Sequence, residues 1–313
     1  MINVAILPAD PSTTCLSIRH FLATLSPALL TRLNIQPFPT STTTALLWLP
    51  NIAQGNTAPL LRAHLVTCPA LKLVQLPMTG VEDFLPLMGA FPQVVWCCAK
   101  GCYSSLVAEH TLAVTLSMLR GLHAVRGGEC VTLTNKKVLI LGRGSIANEI
   151  CILLQPFNCN VSYVDSKSTA DQLYTAVGQA EVIFVTCPLT PATHDLFNTP
   201  LFRALQPNAL LVNVARGQVV NTSALIDSLS ANPGQRAALD VIYYSRNEEK
   251  EQMEKLVREG RVLITNHAAI PSKLIPELLG ERLRWNLQVL VDKEEGRGVE
   301  EGWKGRVDAD KGY

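Results

Sequence analysis

Two glycines and an acid in one stretch of the chain have the spacing that holds a dinucleotide. The apolar run 138–141 leads into Gly142-Arg143-Gly144-Ser145-Ile146-Ala147, then a helical run, then 160–165, which ends in Asp165. The first glycine permits the tight turn from strand to helix. The second lets the backbone approach a pyrophosphate, which then faces the unpaired N–H groups of a helix N-terminus. Ala147 takes the third small position, where helix meets strand. Asp165 lies about 20 residues past the glycines, where a carboxylate accepts the ribose hydroxyls. Two more groups stand at strand ends, where ligands sit in open α/β sheets. Arg216 closes Asn213-Val214-Ala215-Arg216-Gly217, and His267 follows the last apolar run in Thr265-Asn266-His267-Ala268. A fixed guanidinium grips a carboxylate and an imidazole transfers a proton.

The elements that must position these groups are short apolar runs alternating with helical segments. After Asp165 come runs at 182–186, 210–214, 237–241 and 262–265, near-continuously apolar as expected for strands covered on both faces. This alternation predicts an α/β fold, a Rossmann-type doubly wound parallel sheet. Before the glycines, Ile2–Leu7 and the runs 45–49, 71–75 and 94–97 predict a second, smaller flavodoxin-like α/β domain. The run 107–122 reads as a helix buried on several sides, as one between domains would be. In it His110 reads as structural, packed and hydrogen-bonded beside Glu109. The segment 121–135, rich in glycine and polar residues, reads as the crossing. The expected division is residues 1–103 plus 292–313 as a substrate-binding domain and 104–291 as a cofactor domain.

Composition excludes several classes. At 313 residues the chain can build two buried cores, and a formal net charge of +1 gives no reason to expect a nucleic acid or a membrane surface as partner. No apolar run is long enough to span a bilayer, and the N-terminus begins directly as a strand, so a cytoplasmic protein is expected. Nine cysteines without paired CxxC spacing fit a reducing compartment, with neither a disulfide framework nor a metal site.

Cys187-Pro188-Leu189-Thr190-Pro191-Ala192-Thr193, the arginine segment, Ala238-Leu239-Asp240-Val241, the histidine segment and Val107-Ala108-Glu109-His110 together resemble the D-isomer-specific 2-hydroxyacid dehydrogenases in order and spacing. The likeness covers nearly the whole chain, and the ending Gly312-Tyr313 resembles the family's C-terminus, implying that the tail folds back onto the first domain. The resemblance implies that Arg216 grips the substrate carboxylate and polarises its carbonyl, and that His267 is the catalytic acid/base. It implies that the backbone of Thr79, Gly80 and Val81 holds the carboxylate. The cofactor would lie along Gly142, Arg143, Gly144, Ser145, Ile146, Asp165, Cys187, Pro188, Thr193, Val214, Ala215 and Asp240, the last near the carboxamide. Asp165 repels the extra phosphate of NADP and favours NAD, although Lys167 places a cation close by. A small 2-keto or 2-hydroxy acid, glyoxylate or hydroxypyruvate among them, is the implied substrate, and a homodimer the implied assembly.

The chain also departs from the family pattern. Five residues after the aspartate of Leu-Asp-Val the family carries a glutamate that stabilises the charged histidine. Here that position is Ser245, which can orient an imidazole but supplies no charge. Glu248 and Glu249 follow on, but reaching the histidine from there needs a different backbone path. Asn266 replaces a proline, Asn221 an acid, Ala147 a glycine, and the crossing lacks the tryptophan segment of the family's dimer contact. Ser245 opens a second reading, a catalytically impaired NAD-binding sensor or interaction module, against which stands the presence of both Arg216 and His267.

Overall fold

The computed structural model describes residues 1–10, 12–51, 54–123, 130–298 and 302–313. They form two compact units, Met1–Tyr103 with Pro271–Tyr313, and Ser104–Ile270. Residues 124–129 of the expected crossing and 299–301 of the charged tail lie outside the described residues.

In the first unit, β1 (Ile2–Leu7), β2 (Leu33–Gln36), β3 (Ala45–Trp48), β4 (Leu73–Gln75) and β5 (Val95–Cys97) form a parallel sheet in the order β2-β1-β3-β4-β5. Its helices are α1 (Ile18–Ala23), α2 (Pro27–Leu30), α3 (Ala58–Leu65), α4 (Leu85–Ala90) and a late one, Ile275–Glu294. The expected boundary at 291/292 differs from this grouping, which takes the late helix into the first unit. The reason is a set of polar ties. Asn286 Nδ2 donates to the buried Gln75 Oε1 at 2.7 Å, Arg282 donates to the carbonyls of Cys98 and Lys100, and Lys72 pairs with Glu294. The tail beyond it runs along β5, with Val307 N donating to Trp96 O at 2.9 Å and Cys98 N to Gly305 O at 2.8 Å. A Cβ on Gly305 would come within 2.2 Å of the Cys98 carbonyl oxygen, so only glycine permits this approach.

In the second unit α5 (Ser104–Arg120) precedes β6 (Lys137–Leu141), α6 (Ser145–Leu154), β7 (Asn160–Val164), α7 (Ala170–Gln179), β8 (Val182–Val185) and α8 (Thr199–Arg203). Then follow β9 (Leu210–Asn213), α9 (Thr222–Ala231), β10 (Arg236–Leu239), α10 (Asn247–Arg258) and β11 (Val262–Ile264), with the late helix numbered α11. The sheet is all parallel in the order β11-β10-β9-β8-β6-β7. Its central strands bury Val, Ile, Leu and Phe on both faces because helices cover both sides. Connections leave β6 toward β7 on one side and return to β8 on the other. The switch point therefore lies between β6 and β8, where a crevice opens at the strand carboxyl ends. α5 buries Val107, Ala108, Thr111, Val114, Thr115, Met118 and Leu119, a single stripe repeating at three and four residues.

Helix ends in this unit are closed by cations. Arg261 Nε donates to Gln235 O at 2.9 Å, and its Nη2 to the carbonyls of Leu229 (2.8 Å) and Asn232 (2.7 Å) at the end of α9. Arg236 Nη1 donates to Met118 O in the last turn of α5 at 2.8 Å. Such carbonyls have no partner within their own helix, and a guanidinium satisfies several at once. Replacing Arg261 by alanine is expected to cost about 1.5–3 kcal/mol, the range for hydrogen bonds to a charged group. Calorimetry should show this as a fall in Tm of roughly 3–10 °C. Arg261→Lys, with one ammonium for three carbonyls, should recover less than half of it.

Candidate active site

The site grows from the carboxyl ends of the six strands of this sheet. At the end of β6, Gly142 has φ +105°, and a Cβ there would meet Thr186 Oγ1 at 3.0 Å and Cys187 N at 3.1 Å at the end of β8. Any other residue would be strained at this φ and would push the end of β8 back by a few tenths of an ångström, so glycine suits the turn. Gly144 is the residue before α6, and no side chain caps that helix. A Cβ on Gly144 would have nothing within 4 Å. An open, uncapped helix N-terminus over the switch point has the shape and polarity for a pyrophosphate. Ala147, fully buried, packs the helix down as the third small residue. Ser145 accepts a hydrogen bond from Ser104 Oγ at 2.7 Å, joining the first turns of α5 and α6.

Beside this crevice Asp165 follows β7, its Oδ1 accepting from Lys167 N at 2.9 Å. Arg143 stacks on Tyr163, with the guanidinium 5.0 Å from the ring centroid. At the end of β8, Thr193 Oγ1 donates to Pro188 O at 2.6 Å and accepts from Thr190 N at 2.8 Å, closing the Cys187–Thr193 loop on itself. Burial pushes the Cys187 thiol up to about 11, so it packs as a neutral group. These residues fit a dinucleotide.

The reactive groups lie farther along the same edge. The side chain of Asn213, at the end of β9, holds the following turn: Nδ2 donates to Arg216 O at 3.0 Å and Oδ1 accepts from Ala215 N at 3.1 Å. That turn carries Val214, Ala215 and Arg216. A Cβ on Gly217 would come within 2.5 Å of the Ile242 and Tyr243 backbone, so glycine also locks this turn against the segment after β10. The next strand end is tied to it, Asp240 N donating to Asn213 O at 3.0 Å. His267 N then donates to Asp240 O at 2.6 Å. Arg216, Asp240 and His267 therefore stand on three adjacent strand ends laced by backbone bonds.

Asp240 is the most heavily bonded of them. Its Oδ1 accepts from Thr265 Oγ1 (2.7 Å) and Ala268 N (2.8 Å), and lies 3.2 Å from His110 Nε2. Burial works to raise its pKa, but the bonds from His110, Thr265 and Ala268 outweigh that and hold it below the usual carboxylate value. His110 thus faces Asp240, while Glu109 is exposed. For His267, desolvation by the surrounding protein lowers the pKa even though the side chain is exposed. The Arg216 charge lowers it further against an opposing pull from Asp240.

Ser245 is engaged elsewhere. Its hydroxyl donates to Glu249 Oε1 at 2.8 Å and its N–H to Glu249 Oε2 at 2.7 Å. Glu249 also accepts from Arg246 N (3.2 Å) and from Ser223 Oγ, and is only 1% exposed. It folds back to cap α10, and its pKa stays below normal because those bonds outweigh the upward push of burial. Among the described residues no side-chain hydrogen bond reaches the His267 ring. Neither Ser245 nor Glu249 is joined to it.

Thr79, Gly80 and Val81 belong to the first unit, in the turn between β4 and the 3-10 turn Glu82–Phe84. Among the described residues none of their backbone N–H groups donates to a protein acceptor, which leaves three donors for an anion. Asn213, Thr265 and His110 position these groups without a motif in the sequence that marks them for it. For Asn213 and Thr265 the one signal is their place beside Arg216 and His267 at strand ends, whereas His110 stands on α5.

Residues 115–269 match the family described as D-isomer specific 2-hydroxyacid dehydrogenase, NAD binding domain. A Corynebacterium melassecola protein, described as an uncharacterized protein in the proB 3' region, is 29% identical over 248 residues, 72% of this chain and 80% of its own length. Other curated relatives are matched over less of themselves: a Schizosaccharomyces pombe putative 2-hydroxyacid dehydrogenase is 31% identical, but the chain spans only 34% of it. Among solved structures, a glyoxylate reductase from Paecilomyes thermophila superposes with a TM-score of 0.77 at 14% identity, covering 99% of both chains. An NADPH-dependent glyoxylate/hydroxypyruvate reductase from Sinorhizobium meliloti gives 0.74 at 20% identity over 100% of both chains. The stretch 115–269 therefore belongs, as an NAD binding domain, to the D-isomer specific 2-hydroxyacid dehydrogenase family.

Proposed function

We propose that the protein is an NAD-dependent reductase of small 2-keto acids, glyoxylate or hydroxypyruvate among them, acting in the cytoplasm as a homodimer. The observation that carries this reading is the lacing of Arg216, Asp240 and His267 at three adjacent strand ends of a sheet whose switch point is shaped for a dinucleotide. In the reaction proposed here, the bound cofactor supplies the hydride that reduces the 2-keto carbon. Arg216 would grip the carboxylate with a guanidinium fork and polarise the carbonyl. In the first unit, the N–H groups of Thr79, Gly80 and Val81 would be donors for a substrate carboxylate. Protonated His267 would give its proton to the carbonyl oxygen, leaving the hydroxy acid and a neutral imidazole. In the oxidative direction neutral His267 would take that proton back. Asp165 supports NAD over NADP. The Sinorhizobium reductase is NADPH-dependent, so both cofactors belong in the test.

A second reading, a catalytically impaired NAD-binding sensor or interaction module, is favoured by one observation: the carboxylate nearest Ser245 is locked into the cap of α10. Among the described residues no glutamate then reinforces the charge on His267.

The first test follows NADH and NADPH oxidation across a panel of 2-keto acids between pH 5.5 and 8. Reduction consumes protonated His267, whose pKa lies below the ordinary histidine value. The active fraction therefore grows as pH falls through that lowered value, and the reduction rate should rise on acidification, with NADH preferred. His267→Gln should lower the rate by about a hundredfold or more. Folded protein that binds NADH without turnover at any pH would favour the second reading. A further variant separates the two. Ser245→Glu alone sets a second carboxylate against buried Glu249 and should lower Tm without raising the rate. Ser245→Glu combined with Glu249→Gln should move the histidine limb of the pH profile up by about one unit. A large rise in the maximal rate, beyond that shift, would mark the natural site as impaired.

A further inference from the structure

Asn266 and His267 are consecutive non-glycine residues in the left-handed region, with φ of 49° and 59°. Each such residue costs on the order of 1 kcal/mol or more unless its surroundings hold it there. The hold is Asp240, whose carbonyl takes the His267 N–H and whose Oδ1 takes the Ala268 N–H. The direction of that carboxylate therefore decides where the His267 ring stands. Two side chains aim it. Thr265 Oγ1 donates to Oδ1 at 2.7 Å, and His110 Nε2 lies 3.2 Å from Oδ1 and 3.0 Å from Thr265 Oγ1. The Thr265 hydrogen is committed to the carboxylate, so Thr265 oxygen can only accept from His110. Nε2 must then carry a hydrogen, shared between hydroxyl and carboxylate. His110 comes from α5, near-buried, with 17% of its side chain exposed, and the Asp240 side chain is 2% exposed.

We propose that His110 is a positioning residue: through Thr265 and Asp240 it fixes the left-handed Asn266-His267 turn and so the place of the His267 imidazole. Its kinetic consequence rests on the reductase reading, whereas its geometric consequence does not. The charged groups that act on His267 from packed elements among the described residues of this unit are Asp240 after β10 and Arg216 after β9, and the one that faces His110 is Asp240. Removing the His110 donor loosens the turn, solvates the ring and leaves more of the Asp240 charge for it. All three move His267 toward easier protonation.

The test compares His110→Leu, His110→Gln, whose amide can still donate, and Thr265→Val. The histidine rings of the full chain are followed by NMR titration with 13C-labelled histidine, and His267 is assigned by its loss in His267→Gln. His110→Leu and Thr265→Val should raise the His267 midpoint by roughly half a unit or more, and His110→Gln should return it most of the way. With a 2-keto acid and NADH, His110→Leu should lower kcat about tenfold while NADH affinity by fluorescence titration stays within about twofold. An unchanged His267 midpoint in a folded His110→Leu would overturn the proposal, as would His110→Gln behaving like the leucine variant. If His110→Leu does not fold, Thr265→Val against His110→Gln decides by the same midpoint. If the wild-type chain reduces no 2-keto acid, the reductase reading fails while the titration still decides the positioning role.

Discussion

The place of the His267 imidazole, the candidate proton donor, hangs on how Asp240 uses its two oxygen-bearing groups. Its main-chain carbonyl accepts the His267 N–H and its carboxylate the Ala268 N–H, while its own N–H reaches back to Asn213. The bond to the carboxylate is charge-assisted and contributes about 1.5–3 kcal/mol, and each neutral backbone bond about 0.5–1.5 kcal/mol. Two left-handed residues cost on the order of 1–3 kcal/mol each. Opposing terms of similar size mean that the turn is held with little to spare, and the loss of one donor from the network should be felt at His267. The bonds are backbone and carboxylate bonds, so the geometry is set before any substrate arrives, which is what acid/base chemistry requires of its proton donor.

The cofactor side depends on a different constraint, the closeness of two backbones. A Cβ at Gly142 would crowd Cys187 N at 3.1 Å and sit on a backbone at φ +105° that side chains rarely adopt, where the chain leaves β6 beside β8. The same economy of side chains recurs at Gly217, where the turn bearing Arg216 presses on the chain beyond β10. Steric necessity therefore ties the phosphate crevice and the arginine turn to one sheet edge, and Asp240 ties the histidine to it. In the proposed reaction, hydride donor, carboxylate clamp and proton donor would share that edge because all the strands are parallel and present their carboxyl ends together.

The parts of this arrangement legible in the sequence were those governed by short-range sterics and by continuous apolar runs. Gly142 and Gly144 mark the tight strand-to-helix turn after β6, and Asp165 the end of β7, because such a turn needs those residue types at that spacing. β6, β8 and β9 announced themselves because both of their faces are buried. β2 went unseen: Leu33–Gln36 alternates polar residues at a half-exposed edge, too short and mixed for a pattern. The allegiance of α11 was hidden as well, since it rests on single long-range bonds such as Asn286 to Gln75, which periodicity does not record. Ser245 was legible as a missing charge. That Glu249 would be drawn in to cap α10 and not to serve the histidine depended on the path of a loop, and His110 looked like packing because its partner lies on a strand end more than a hundred residues away.

The central claim is that Asp240 clamps an exposed turn, and amide hydrogen exchange of the free protein tests it most directly. Residues 266–268 are exposed, so without the clamp their amides should exchange as fast as any open loop. The account predicts that the His267 and Ala268 amides are strongly protected while that of Asn266 is not, and that Asp240→Ala abolishes the protection at Ala268 first, because only that bond uses the carboxylate. Rapid exchange at both amides in the unmodified protein would contradict it.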